Sequence, residues 1–225
     1  MAENTNAAAT RISRLFSTPI ATHRVVNADE LNRGLKEIIL TEEANKPSTG
    51  RSNIGGWRSE HDLLARSEPQ ITALCNEIRE AIGHVFQATA GANGFSGYFA
   101  INGWANVLRR GNYNTPHNHP ESAWSGVYYV DIGTQNAEHP LSGMLEFMDP
   151  RPFVEMVATP GMPFGLPVRI QPEAGLMVIF PSWLYHHVHA YVGEGARIAI
   201  AFNIPTHSAA PEQIIAERDR ALVKV

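Results

Sequence analysis

The chain has 225 residues, 44% of them hydrophobic, and a formal net charge of −4. That length and composition suit one globular domain with a real core, and the charge excludes the basic surface that nucleic acid demands and speaks against an anionic membrane surface. A lone cysteine, Cys75, rules out an intramolecular disulfide; with no apolar run near the ~20 residues of a bilayer span and no apolar leader, the cytoplasm is the expected location.

Taken in order, residues 1–11 are small and polar and read as a frayed terminus. Arg14 to Ala21 reads as a short strand, with Pro19 marking an edge position. Asn27 and Glu30 have capping-box spacing, and Leu31, Leu35, Ile38 and Ile39 then recur at helical period, predicting a helix to about Ala44. Lys46 to Trp57 carries Pro47, Gly50, Gly55 and Gly56 and reads as loop. A second helix is expected from Ser67, with Pro69 in its first turn and a stripe of Ile71, Leu74, Cys75, Ile78, Ile82, Val85 and Phe86. Cys75 lies inside that stripe and is expected in the core rather than at a reactive site.

After Gly91 helical periodicity stops. Strand-like segments follow at about Tyr98–Arg109, Ser125–Ile132, Met144–Met148, Val168–Ile170, Leu176–Phe180, Tyr185–Tyr191 and Arg197–Ile204. Seven or eight strands at this spacing point to a jelly-roll, a double-stranded β-helix, rather than a parallel α/β sheet. The expected organisation is a single domain over 1–225, mainly β with N-terminal helices (α+β). It comprises a helical elaboration at 1–90, the β core at 91–207, and a C-terminal helix at 208–225.

The chemistry concentrates in a few positions. His117 and His119 stand at i and i+2 between Pro116 and Pro120. In an extended chain such side chains share a face roughly 7 Å apart, close enough to grip one metal ion. Downstream, His186, His187 and His189 must divide between two faces of a strand, and parity alone does not say which face holds a ligand. Arg197 opens a strand in which Arg197, Ala199, Ala201 and Asn203 share one face and Ile198, Ile200 and Phe202 the other. The small residues leave room for a ligand beside the guanidinium. Trp124, Phe147, Phe180 and Trp183 are candidates for an apolar wall around such a site.

Five blocks carry a family resemblance. They are His117-Asn-His119-Pro120, Ser125-Gly-Val-Tyr-Tyr-Val130, Gly143 to Arg151 (G-x-L-x-F-x-D-P-R), Phe180 to Val188 (F-P-S-W-L-x-H-x-V) and Arg197 to Asn203 (R-I-x-I-x-F-N). In this order they resemble the small Fe(II)/2-oxoglutarate-dependent oxygenases, and distantly the prolyl hydroxylases. The resemblance implies a double-stranded β-helix and a dioxygenase that couples decarboxylation of 2-oxoglutarate to oxidation of a substrate, most simply a hydroxylation. It implies Fe(II) on His117, His119 and His186. Arg197 matches the residue that pairs with the far carboxylate of 2-oxoglutarate, and Tyr129 the tyrosine that often hydrogen-bonds it. Where this sequence has His119 the wider superfamily usually has a carboxylate, so the set His119, Glu121 and His186 stands as an alternative.

Two other readings belong to different classes: a three-histidine cupin-type dioxygenase that uses no oxo-acid, and a non-catalytic metal-binding jelly-roll. The expected partner is a small-molecule or peptide substrate, with no nucleic acid, no membrane, and homodimerisation left open.

Overall fold

The change of grammar near residue 90 becomes a division between helices and sheets in the structure. It is a computed structural model that describes residues 16–90, 95, 97–156, 160–161 and 165–207. In chain order these form β1 (Ala21–Arg24), α1 (Ala28–Asn45), β2 (Asn53–Ile54), β3 (Trp57–Arg58), α2 (Pro69–Thr89), β4 (Tyr98–Phe99), β5 (Asn102–Leu108) and β6 (Tyr113–His117). They continue with β7 (Trp124–Asp131), β8 (Leu145–Phe147), β9 (Val168–Ile170), β10 (Leu176–Pro181), β11 (His186–Val188), β12 (Arg197–Ile204) and β13 (Thr206–His207).

All the strand pairings are antiparallel. A large sheet has the order β1-β10-β7-β12-β5-β3 and a small one the order β2-β6-β11-β8-β9, while β4 and β13 pair alone. Side chains from both sheets line one cavity. The architecture is the jelly-roll that the strand count predicted.

Both helices pack on the outer face of the large sheet. Leu35 and Ile39 of α1 and Ile71, Leu74, Ile78 and Ile82 of α2 are fully buried there with Tyr128, Met177, Ile179, Ile198, Ile200 and Phe202. Each such aliphatic side chain stabilises the fold by about 1.5–3 kcal/mol relative to exposure. Cys75 is part of this layer, and burial pushes its thiol pKa up, as befits a core residue. A second, smaller cluster on the inner face joins Tyr129, Leu145, Phe147, Val178, Phe180 and Ala199. The central strands are thus buried on both faces, which is why Leu176-Met-Val-Ile-Phe180 reads as continuous apolar sequence. Gly126 is hemmed in by the strands on either side of β7: a Cβ there would sit 2.3 Å from the Phe202 ring and 2.8 Å from the Val178 carbonyl oxygen.

Several boundaries differ from expectation. The first strand begins at Ala21, not Arg14, because pairing with β10 starts at Ala21 opposite Ile179 and Pro19 has no amide hydrogen to offer. Asn27 caps α1 from the left-handed region (φ 53°) and makes no side-chain cap hydrogen bond, so there is no capping box. The Lys46–Trp57 loop contains β2 and the first residue of β3, both added to sheet edges. The Tyr98–Arg109 segment splits into β4 and β5, and Tyr113–His117 is a strand of its own. The frayed residues 1–11 and the helix at 208–225 lie outside the described residues, as do Arg14 and Leu15.

Candidate active site

β6 ends on His117, and β11 begins on His186 directly opposite it in the small sheet. His119 sits in the turn after β6, where its backbone N–H donates to the Ser182 carbonyl oxygen at 2.9 Å. The three imidazoles meet. Ring centroids are 4.4 Å apart for His117 and His186, 5.0 Å for His117 and His119, and 5.2 Å for His119 and His186. One nitrogen from each lies within 4.8 Å of the others, and the Nε2 atoms of His119 and His186 are 3.3 Å apart. Two metal–nitrogen bonds of about 2.1 Å at right angles would put their donors about 3.0 Å apart, so the spacing fits one ion with little movement.

The second ring nitrogens fix the tautomers. His117 Nδ1 donates to the Thr115 carbonyl at 2.7 Å and His186 Nδ1 to that of Leu184 at 2.9 Å, which leaves both Nε2 lone pairs facing the centre. Burial, then the mutual proximity of the rings, pushes His119 down to about 4 and His186 to about 3; burial also lowers His117. At neutral pH all three are unprotonated and able to ligate.

The structure divides the downstream histidines by face. His187 and His189 point away from the cavity and share Glu146, whose Oε2 accepts from His189 Nε2 at 2.8 Å and from Arg169 Nε at 2.6 Å. His187 Nε2 lies 3.4 Å from Oε1. Burial pushes the Glu146 carboxyl up, but hydrogen bonds from His189, Arg169 and His187 outweigh it and hold the pKa at about 2. These three residues are close enough to hold a metal, yet a guanidinium already occupies the carboxylate. Glu121 is exposed, in the left-handed region at φ 72°, and stands outside the triad.

On one side of the triad a narrow cavity of about 60 Å³ runs between the sheets, lined by residues including Asn106, Tyr129, Phe180, Arg197 and Ala199. Arg197 is 2% exposed, donates from Nε to the Gly143 carbonyl at 3.1 Å, and has its guanidinium carbon 5.2 Å from the Tyr129 ring centre. No carboxylate among the described residues pairs with it. Burial lowers its pKa and raises that of Tyr129. Gly143, at φ 67°, leaves the room that Arg197 needs; a Cβ there would approach Arg197 Cδ to 2.9 Å. Among the described residues, the buried side-chain oxygens without a hydrogen-bond partner are Tyr129 Oη and Asn106 Oδ1, and both line this cavity.

On the other side an outer chamber of about 710 Å³ opens over His117 and His119. Sequence reasoning missed Asn106 and Trp104. The available signal was parity, since they stand two apart on β5 and both face the cavity. The expected aromatic wall is partly corrected: Phe180 lines the cavity with Phe147 packed edge-on against it, but Trp183 is 52% exposed and Trp124 packs toward the helical layer. Trp183 follows the buried Ser182 in a turn after β10, and β7 begins with Trp124 on the face that meets the helices.

The jelly-roll thus aims three neutral imidazoles and a buried, carboxylate-free arginine into one cavity. Residues 102–203 match the family model described as "Putative 2OG-Fe(II) oxygenase". No curated protein matches the chain by sequence. Solved structures agree with the fold. A Pseudomonas putida prolyl-4-hydroxylase is 16% identical, with 86% of this chain and 95% of that one covered, at TM-score 0.57. HygX from Streptomyces hygroscopicus, with nickel and 2-oxoglutarate bound, is 12% identical over 84% and 83%, also at 0.57. A Trichoplax adhaerens prolyl hydroxylase in complex with a hypoxia inducible factor peptide is 12% identical over 90% and 87%, at 0.56. Among the described residues no helix is long and apolar enough to cross a membrane.

Proposed function

We propose that this chain is a 2-oxoglutarate-dependent hydroxylase in which His117, His119 and His186 hold Fe(II) through their Nε2 atoms. The inner cavity takes 2-oxoglutarate, with the far carboxylate on Arg197 and the Tyr129 hydroxyl. Substrate, a small molecule or peptide, approaches through the outer chamber. The single observation that carries this reading is the inner cavity: a buried guanidinium without a carboxylate stands beside an orphaned phenol, and leaving both so is costly without a ligand. A planar guanidinium and a carboxylate form two charge-assisted hydrogen bonds, a geometry that lysine does not match.

Three neutral ligands leave the ion's full double charge uncompensated, which favours a dianionic co-substrate. When bound, iron with 2-oxoglutarate supplies the oxidising chemistry, and succinate, carbon dioxide and oxidised substrate are the products. The protein's own work is positional. Thr115 and Leu184 carbonyls orient two of the rings, Gly143 fixes the reach of Arg197, and Phe180 with Leu145 keeps water from the inner cavity.

Anaerobic titration of the Fe(II) protein with 2-oxoglutarate, followed by the metal-to-ligand absorption band, tests the reading. Wild type should develop the band, and Arg197→Ala should bind more weakly by about 2–5 kcal/mol with iron content unchanged. Absence of the band, or equal binding by Arg197→Ala, sinks the assignment. Oxygen uptake without succinate would then favour the three-histidine, oxo-acid-free alternative.

A further inference from the structure

A second arginine has the same unusual status as Arg197, on the opposite side of the triad. Arg58, on β3, is 3% exposed and faces the outer chamber. Its Nη1 donates to Thr49 Oγ1 at 3.1 Å and its Nη2 to His61 Nε2 at 2.7 Å, while the guanidinium carbon lies 4.4 Å over the Trp104 ring. All these partners are neutral: His61 is itself pushed down, by burial first and then by Arg58. A guanidinium carries five N–H donors, and only two are engaged here.

Arg51 lines the same chamber, and its charge adds to the burial that lowers Arg58 to about 10. The one carboxylate among the described lining residues, Glu121, pairs with neither arginine. The Glu60 carboxylate offsets part of that lowering without forming an ion pair, yet burial and Arg51 prevail, so a desolvated positive charge is left without a paired anion. A structural arginine stacked on tryptophan would gain more from a carboxylate in direct contact, and among the described residues none makes an ion pair with it.

We infer that the outer chamber is an anion subsite: the substrate carries a carboxylate or a phosphate that seats on Arg58 and Arg51 and so hangs its reacting carbon over His117 and His119. The inference rests on the proposed reading of the triad as the metal centre. It sets the substrate's chemistry apart from that of the co-substrate, whose own anion is held by Arg197 on the far side. Trp104 lines both cavities, together with Ser52, His117 and His119.

The test uses full-length protein loaded with Ni(II) and saturated with 2-oxoglutarate, and ligand-observed NMR with benzoate, its neutral isostere benzamide, and inorganic phosphate. Benzoate and phosphate should bind saturably and compete with each other, and benzamide should bind at least tenfold more weakly. Arg58→Gln should lower benzoate affinity at least tenfold. Arg58→Lys should restore part of it, and Arg51→Gln, an exposed position, should lower it several-fold. Should Arg58→Gln fail to fold, Arg51→Gln and the salt dependence of binding decide instead. Equal binding of benzoate and benzamide, no binding of either anion, or no loss in the arginine variants would overturn the inference. The two readings fail separately: loss of the 2-oxoglutarate band with benzoate still bound through Arg58 breaks the co-substrate assignment alone. A normal band without an anion subsite breaks only this one.

Discussion

Twice in this fold adjacent residues of one type meet opposite surroundings. On β7, Tyr128 turns to the helices and donates to Asn32 Oδ1 at 2.6 Å, while Tyr129 turns to the cavity, where its hydroxyl feels the Arg197 guanidinium but makes no well-formed hydrogen bond. On β11, His186 joins the triad, while His187 turns outward to Glu146. Both tyrosines are fully buried, so burial does not separate them. Polar satisfaction does. On the packing face the chain supplies the phenol's partner; on the cavity face that partner is missing.

The largest effect should come from exchanging the two sides of β11. His186→Ala is expected to abolish stoichiometric iron binding by metal analysis, since two protein ligands remain, whereas His187→Ala should keep it. The opposite result would reverse the two faces.

A smaller and crossed effect is expected on β7. Tyr128→Phe strands the Asn32 oxygen and should cost about 1–3 kcal/mol in denaturant unfolding, with 2-oxoglutarate affinity unchanged. Tyr129→Phe removes an unpaired hydroxyl, so stability of the metal-free protein should hold or rise while 2-oxoglutarate binds more weakly. If both variants lose stability alike, the contrast between the faces fails.

The smallest effect tests the outward side of β11 through pH. Glu146 is held at about 2, below its ordinary 4.5, by its outward partners despite burial. A carboxylate depressed in the folded state contributes fully above about pH 4.5 and loses that contribution as pH falls toward 2. Glu146→Gln should therefore destabilise clearly at pH 7 and less at pH 3. An equal loss at both values would show that the clamp is not ionic.

Much of this was legible beforehand because periodicity reports which face is buried. The α2 stripe from Ile71 to Phe86 and the alternation of β12 need only a repeat of 3.6 or 2. The two short edge strands β2 and β3 were not, since two-residue strands leave no period and glycines there look like loop. The His186 face was readable only through family likeness, because a three-residue strand with a register shift gives parity nothing to count from. Asn106 and Arg58 were missed for another reason: a polar residue inside an apolar strand or turn reads as noise until its missing partner is seen in three dimensions.

The triad's place in the smaller sheet has a consequence for how the molecule breathes. The strands there are two to five residues long, against eight in β7 and β12, and ladders that short hold poorly alone. His117 and His186 are far apart in the chain but face each other across β6 and β11, so an ion between them would act as a rivet through the weakest layer. Amides of β6 and β11 then belong to a cooperative unit whose opening free energy tracks metal occupancy, while those of the helix-backed sheet do not. Iron supply would thus set the lifetime of one layer of the protein and leave the other indifferent.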